Sequence, residues 1–356
     1  MIQRILSLLA CAVIILALPA RAAFNQPDDV ASKDPTMFGA SDPFADIDRK
    51  EPSMWHAARA ETAAGQLAMA NAFETSGEIR SAIRANNALV HEWHTTPEAV
   101  QAQQNMARLL EADGQYKKAF TEYEYMMVYF PGQFNYTNVL DHQYRCANAL
   151  STENSTFLGL SVDSMAKVRC MYEHILRNGP HWEKAPEVAL HIGTAHETDD
   201  EPVEAVAAYE QAQNRFPGTD VARDAAYLAA QVRIQYSFDH PRDAQSRAMA
   251  IAALKIFEHA YPFDARCVSL TASRKELENM EMDARYEQAV FYDRNRKEPA
   301  AAIAAYRDFL RTFPDAPQAR KAEVRMAELE AVVKASPAPA STDKDSSKEA
   351  PARDAK

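Results

Sequence analysis

An aromatic residue followed by proline recurs along the middle of this chain and restricts its fold more than any other feature. Four such pairs and two weaker copies occur: Phe130-Pro131, Phe216-Pro217, Tyr261-Pro262 and Phe313-Pro314, then Thr96-Pro97 and Gly179-Pro180. Successive prolines are 34, 49, 37, 45 and 52 residues apart. Proline biases the residue before it away from the helical conformation, so helices usually end there. The recurrence therefore predicts a row of helical units that each close at a proline.

Three of these units share one internal register, in which a small residue is followed four positions later by tyrosine and then by the terminal proline. The residues are Ala119, Tyr123 and Pro131 in the second unit, Ala205, Tyr209 and Pro217 in the fourth, Ala302, Tyr306 and Pro314 in the sixth, and Gly193 on the first helix of the fourth. Residues four apart share a helical face, so the alanine admits a neighbouring helix and the tyrosine fills the gap. This arrangement at a period of 34 residues is the tetratricopeptide pattern.

The predicted fold is all-α: a tetratricopeptide-like, right-handed superhelical solenoid of about six helical hairpins with a capping helix from Gln318 to Val333. The hairpins are expected at 57–96 with a turn at Gly77, then at 97–131, 135–180 with a loop near 151–161, 186–217, 220–262 and 265–314. The scarcity of glycine supports an all-α fold. The chain has only 9 glycines, whereas an average usage of ~7% would give roughly 25. Sheet proteins use glycine in their tight turns.

The first 22 residues have the pattern of a signal peptide. Arg4 supplies the positive charge, an apolar run extends from Ile5 to Leu18, and Ala20-Arg21-Ala22 is a small-residue cleavage site. The run is shorter than the ~20 residues of a membrane-spanning helix. We therefore expect an exported protein, without a membrane span, that begins at Ala23.

The repeat domain is expected at 54–334, between two segments of different composition. Residues 23–53 are rich in Pro, Asp and Ser, which predicts an extended lead-in. Residues 335–356 consist mostly of Ala, Pro, Ser, Lys and Asp. Such a segment has too few apolar side chains to offset the entropy of ordering, so we expect a disordered tail.

The net charge and the absence of known catalytic and nucleotide-binding motifs restrict the classes of function that this chain can have. The net charge is −11 and becomes −13 once the predicted signal, which carries two arginines, is removed. An acidic chain suits neither nucleic acid nor an anionic membrane surface, which both require dense Lys and Arg. The sequence carries no phosphate-binding glycine loop, dinucleotide fingerprint or nucleophile elbow. We expect a protein that binds other proteins and has no catalytic residues, cofactor or metal, and we keep an enzyme as an alternative.

Two clusters of titratable residues have structural explanations. His91 and His94 lie three apart on one predicted helix, but no third ligand is evident, and zinc sites need three or four. The acidic residues from Glu197 to Glu201 precede Pro202 and lack the glycine-centred spacing of a calcium loop. We expect them to cap the next helix and to favour its dipole.

Three cysteines remain once Cys11 leaves with the signal. Cys146 and Cys170 are expected on neighbouring antiparallel helices, where an oxidising compartment would allow a disulfide. The alternative is that these two and Cys267 are small buried apolar residues. The sequence leaves both open because it does not fix the separation of the two Cα atoms.

The first helix of each hairpin is expected to line the concave face of the solenoid, where repeat proteins bind their partners. Polar candidates for a peptide groove there are Asn105 and Arg108 in the second unit and His142 and Arg145 in the third. Each has an alternative explanation as an ordinary solvated helix residue.

The C-terminal part carries a more specific pattern. Phe291-Tyr292-Asp293-Arg294 is followed by Ala300-Ala301-Ala302, Tyr306, Phe309-Leu310, Phe313-Pro314-Asp315, Ala319 and Ala322. These residues resemble the final repeats of the BamD family, the tetratricopeptide lipoproteins of the outer-membrane β-barrel assembly machinery. The stretches 114–131 and 260–263 are similar to earlier repeats of that family, so the resemblance covers roughly residues 60–330.

The resemblance implies a periplasmic scaffold, peripherally associated with the outer membrane, that contacts a β-barrel insertase through its C-terminal repeats and extended peptide ends through its N-terminal groove. The alternative is a periplasmic tetratricopeptide adaptor that coordinates cell division or cell-wall synthesis through other envelope proteins. Family members carry a lipid on the first cysteine of the mature chain. No cysteine lies near Ala23, and Cys11 follows an apolar run of only six residues, so we expect a form without this anchor.

Overall fold

A computed structural model describes Phe44, residues 47–156 and residues 165–335 of this protein. The predicted signal peptide at 1–22, Cys11, most of the predicted lead-in and the predicted tail from Ser336 onward lie outside these described residues. Of the predicted loop at 151–161, residues 157–161 also lie outside them, whereas residues 151–156 are helical, so the loop prediction was wrong for that part.

The described residues form helices and their connections, with no strand among them. The α-helices are α1 (Ala63–Thr75), α2 (Ile79–Glu92), α3 (Pro97–Ala112), α4 (Tyr116–Tyr129), α5 (Tyr136–Thr156), α6 (Met165–Asn178), α7 (Ala185–Thr198), α8 (Pro202–Arg215), α9 (Asp220–Asp239), α10 (Ala244–Ala260), α11 (Cys267–Val290), α12 (Pro299–Thr312) and α13 (Ala319–Ala335). A 3-10 helix (Met54–His56) precedes α1, and a π-helical segment (Phe291–Arg296) follows α11. The predicted all-α, tetratricopeptide-like repeat is confirmed.

The chain divides into two compact units, one up to Leu270 and one from Thr271 onward, and the division falls within α11. In the first unit, α1 to α10 pair in order as five hairpins. A continuous apolar core that includes Leu89, Phe120 and Tyr172 extends through α2 to α9. The second unit has its own core, in which Phe309 packs with side chains from α11, α12 and α13. Burial of apolar surface, at roughly 25 cal/mol per Å², is the main force that holds each unit together.

Prolines and glycines set the helix boundaries as the sequence predicts. Pro202 and Pro299 occupy the first turn of α8 and α12, where the missing N–H would have no partner in any case. Four prolines directly follow the C-cap residue of the second helix of a hairpin, namely Pro131 after Phe130, Pro217 after Phe216, Pro262 after Tyr261 and Pro314 after Phe313. Gly77 joins α1 to α2 with φ +80°, a left-handed conformation that glycine adopts without a steric penalty.

The residues of the shared register lie at the helix contacts. Ala119, Ala205 and Ala302 are fully buried, and so are the rings of Tyr123, Tyr209 and Tyr306. The closest approach involves Gly193 of α7: a Cβ placed there would come within 2.3 Å of the Tyr209 ring. Glycine is thus required at this position because α7 and α8 approach too closely for any side chain.

Within residues 47–156 and 165–335, no helix combines the length and the apolar character needed to cross a bilayer. The solenoid helices instead present one apolar stripe to the core and polar residues outside it.

We expect Gly193→Ala to destabilise the protein by about 1–3 kcal/mol because the new methyl group would overlap the rigid, buried ring of Tyr209. This cost exceeds the gain of about 1 kcal/mol that alanine brings to a helix interior. Thermal unfolding measures the change. The double variant Gly193→Ala, Tyr209→Leu should lose less stability than the sum of the two single variants, and strict additivity would contradict the proposed contact.

Candidate functional site

The first helices of neighbouring hairpins contact each other through polar side chains 34 residues apart. The Asn105 amide of α3 donates to Asn71 of α1 at 3.4 Å. One turn further along, the Arg108 guanidinium lies 2.5 Å from the Glu74 carboxylate. We call this surface of α1, α3, α5, α7 and α9 the first-helix face. Two of the predicted groove residues therefore lie on adjacent turns of this face and link two repeats.

The other two predicted groove residues meet at Glu111, near the end of α3. His142 Nδ1 lies 2.6 Å from one carboxylate oxygen, and Arg145 Nε donates to the other at 3.0 Å. The Tyr123 hydroxyl donates to the same carboxylate at 2.9 Å, and the His142 ring stacks on the Tyr123 ring with centroids 4.9 Å apart. Glu111 thus joins the second helix of its own hairpin to the first helix of the next.

The electrostatics of Glu111 follow from these partners. Burial by itself would raise the pKa of the carboxyl, but the hydrogen bonds from His142 and Tyr123 outweigh it, with help from the charge of Arg145, and the pKa is lowered. The carboxylate is therefore held in its ionised form. Although it contacts Glu111, the Arg145 side chain remains 59% exposed to solvent. Its guanidinium can still bind a carboxylate or a carbonyl group of a partner.

The same arrangement recurs in two later repeats. The Tyr209 hydroxyl donates to Glu197 at the end of α7, and the Tyr306 hydroxyl donates to Asp293 at 3.4 Å. Asp293 also receives two hydrogen bonds of 2.8 Å from Arg325 of α13. Sequence reasoning assigned the tyrosines to packing and missed their carboxylates. The signal was present, because each acidic residue lies 12 or 13 positions before its tyrosine.

The first-helix face continues with polar contacts between α5 and the start of α7. Lys184 pairs with Asp141 at 2.8 Å, and its ammonium lies over the rings of Tyr144 and Trp182. The Tyr144 hydroxyl bonds the His191 ring nitrogen at 3.0 Å. From α1 to α7 this face therefore presents alternating cations, anions and amides. Such a row suits an extended peptide, whose backbone offers donors and acceptors at short intervals.

Of the two alternatives that the sequence leaves open for Cys146 and Cys170, the structure has the one without a bond between the two sulfurs. Cys146 is instead buried in the core of the first unit. Burial raises the pKa of its thiol to about 12, so the thiolate needed for disulfide chemistry is scarce at neutral pH. Cys170 packs at the edge of the same core.

The acidic residues before α8 do not act as side-chain caps, so that expectation was wrong. Glu201 occupies the N-cap position without a side-chain bond to the helix. Its carboxylate instead lies 2.8 Å from Arg169 of α6 and 2.7 Å from His196 of α7. These contacts tie the turn to the preceding hairpin. The Glu201 carboxylate binds Arg169 and not the backbone N–H groups of α8 because the guanidinium is charged and forms the stronger hydrogen bond.

Both histidines of the His91–His94 pair bind protein groups. His91 Nδ1 lies 2.6 Å from the Glu51 carbonyl oxygen, and His94 Nε2 lies 2.7 Å from the Tyr125 hydroxyl. Among the residues that the structure describes, no group of three or more His, Cys, Asp or Glu side chains has the geometry of a metal site.

The segment before α1 packs on the opposite surface, which we call the second-helix face (α2, α4, α6, α8 and α10). Lys50 Nζ lies 2.5 Å from Glu122 and 3.1 Å from Gln103, while its backbone N–H donates to the Tyr125 hydroxyl. Burial lowers the pKa of Lys50, although Glu122 opposes this effect. A buried lysine fixes the segment because its ammonium would otherwise lack the partners that replace water. Sequence reasoning predicted the extended conformation here but not the docking.

Glu111→Gln should destabilise the protein at pH 6, and the effect should fade in acid. The pKa of Glu111 in the folded protein lies below the unfolded value of 4.5, so its stabilising contribution is present above pH 4.5 and is lost as pH falls through the lower, folded value. We expect a loss of about 1 kcal/mol at pH 6, reduced from the buried limit by partial exposure. Thermal unfolding from pH 6 to pH 3, with the exposed Glu92→Gln as control, measures it. Equal losses of stability at pH 6 and at pH 3 would contradict a lowered pKa of Glu111 in the folded protein.

Two solved structures show a repeat architecture similar to that of this chain. A tetratricopeptide repeat protein from Parabacteroides merdae is 12% identical and aligns over 75% of this chain and 100% of its own, with a TM-score of 0.31. The C-terminal part of a TPR repeat-containing protein from Cytophaga hutchinsonii is 13% identical and aligns over 72% of this chain and 98% of its own, with a TM-score of 0.25. Among curated protein sequences, none matches the chain.

A family profile gives the decisive similarity. The profile described as YfiO, outer membrane lipoprotein, matches residues 160–343, which is more than half of the chain. The matched range contains the Phe291 to Ala322 pattern that resembles the BamD family, and it contains the Tyr306–Asp293–Arg325 contacts. YfiO and BamD denote the same family, so the resemblance is confirmed. This protein belongs to the YfiO (BamD) family of outer membrane lipoproteins, as a tetratricopeptide-like helical repeat.

Proposed function

We propose that this protein is a periplasmic scaffold in the assembly of outer-membrane β-barrel proteins. The family match over residues 160–343 carries this proposal. The physical architecture supports it, because stacked helical hairpins offer long, rigid surfaces that hold protein partners in place. The predicted signal peptide supplies the route to the periplasm.

The second unit is the proposed contact for a subunit of the β-barrel assembly machinery. Four large apolar side chains are exposed in the described part of this unit, at Phe291 in the π-helical segment and at Val324, Val332 and Val333 on α13. A terminal repeat that faces only water is expected to be polar on its outer side. Exposed apolar side chains on such a helix are typical of an interaction surface.

The first-helix face of the first unit is the proposed contact for extended peptide ends. Arg108 and Arg145 bridge neighbouring repeats while part of each guanidinium faces solvent. Their positions are therefore fixed before a partner arrives, which lowers the entropy cost of binding. A guanidinium so placed can receive the terminal carboxylate of a peptide.

We propose that the protein is peripherally associated with the outer membrane and is held there through its contacts with other envelope proteins.

Crosslinked pull-down from the native envelope, followed by mass spectrometry, tests the assembly role. We expect a β-barrel insertase with its accessory subunits, and we expect the double variant Val324→Asp, Val332→Asp to recover at least tenfold less of it. Val128→Asp is the matched control, because Val128 is similarly exposed on α4 of the first unit. Recovery of only cell-wall or division proteins would reject the assembly role and favour the adaptor alternative. If the double variant Val324→Asp, Val332→Asp recovers as much insertase as the unchanged protein, the proposed C-terminal contact is rejected but the assembly role is not.

A further inference from the structure

On the second-helix face, one groove between neighbouring helices is filled by the chain itself. The Phe44 side chain is only 3% exposed. Its ring centroid lies 4.8 Å from that of Phe120 on α4 and 5.3 Å from that of His174 on α6. The space between α4 and α6 is therefore a pocket for one aromatic side chain supplied by the segment before α1.

That segment crosses the second helices in order. His56 stacks on His91 of α2 with ring centroids 4.3 Å apart, Lys50 is held by Glu122 of α4, and Phe44 lies between α4 and α6. Followed towards the N-terminus, the chain thus proceeds from α2 to α6. The next second helices in this direction are α8 and α10.

An open apolar groove lies between α8 and α10. It has a volume of about 570 Å³ and is lined by five alanines and by Met249, Ile256 and Phe257 of α10, with four polar or charged side chains among the other lining residues. Ile256 is 66% exposed and adjoins Phe257 and Met249, so the groove offers a contiguous apolar surface to a partner. At the rim, Glu210 and Arg233 neutralise each other across 2.6 Å. The groove therefore favours an uncharged, apolar occupant.

The two grooves are equivalent in the repeat. His174 lies five residues before Gly179-Pro180 at the end of α6, and Ile256 lies five residues before Tyr261-Pro262 at the end of α10. Glu124 and Glu210 likewise each lie six residues before the aromatic-proline pair that follows α4 and α8. In the filled groove, His174 bonds the Glu124 carboxylate at 3.0 Å beneath Phe44. In the open groove, the position of His174 carries isoleucine, so its wall is the more apolar of the two.

The sequence before Phe44 repeats the local pattern of its docked residue. Phe44 ends the triplet Asp42-Pro43-Phe44, and upstream the chain reads Asp34-Pro35-Thr36-Met37-Phe38. Six residues of extended chain between Phe38 and Phe44 span up to about 20 Å. This reach sets how far along the second-helix face Phe38 can lie from the filled groove. Met37 and Phe38 together offer two large apolar side chains where the filled groove takes one.

We propose that residues 34–38 of this chain dock in the groove between α8 and α10, with Met37 and Phe38 against Ile256 and Phe257. The lead-in then extends along the second-helix face from α2 to α10 and leaves the first-helix face clear for partners. This inference rests on the geometry of the first unit and does not depend on the proposed role in outer-membrane assembly.

Photo-crosslinking in the full chain tests the proposal directly. With p-benzoylphenylalanine in place of Phe38, we expect crosslinks within one chain to residues 245–261, identified by mass spectrometry. The same group in place of Phe24 is the matched control, and it should not crosslink preferentially to residues 245–261. Crosslinks that join isotopically distinct chains would assign the groove to a second copy and overturn the proposal. Crosslinks from position 38 to other helices alone, or equal yields from both positions, would overturn it as well.

A double-variant cycle gives an independent readout that does not require a reactive probe. Phe38→Ala should lower the Tm by about 2 °C or more, and it should have no further effect in an Ile256→Asp background. In the control background Val128→Asp, where the exposed residue lies away from the groove, the full effect of Phe38→Ala should persist. Circular dichroism confirms that each variant retains its helices. An unchanged Tm on Phe38→Ala, or equal effects in both backgrounds, would exclude the docked segment.

Discussion

The contact between Gly193 of α7 and the tyrosine ring of α8 sets the spacing on which the other contacts of that hairpin depend. At Gly193 the ring of Tyr209 is so close that even a methyl group would not fit. The ring excludes water from the hairpin, while its hydroxyl reaches the end of the first helix and meets a carboxylate there. One side chain therefore fixes the distance between the two helices through its ring and their register through its hydroxyl.

The carboxylate extends this constraint from one hairpin to the next. Glu111 receives Tyr123 from its own hairpin and both His142 and Arg145 from the following one. Asp293 joins Tyr306 to Arg325 in the same manner. Because ionised groups gain most from hydrogen bonds that replace water, such a cluster resists rotation of one repeat against its neighbour. A stack built in this way can present a partner with side chains already in position.

The two surfaces of the first unit differ in their chemistry. The first-helix face is polar and has charged side chains that are fixed in place yet partly exposed. The second-helix face takes up apolar and buried charged residues of the protein's own lead-in, as Phe44 and Lys50 show. Burial of Lys50 with Glu122 anchors the segment, since separating the pair would leave a charge without a partner in a dry site.

The sequence by itself determined the helices, their order and the family. Prolines, glycines and helix formers act locally, so the hairpin bounds and the turn at Gly77 followed from spacing alone. It did not determine that Glu201 binds Arg169 instead of capping α8, or that Lys50 is buried. Those partners lie as many as 75 residues apart in the chain. Only the tertiary structure decides them, because desolvation and ion pairing depend on which distant side chains the packed helices bring within a few ångströms.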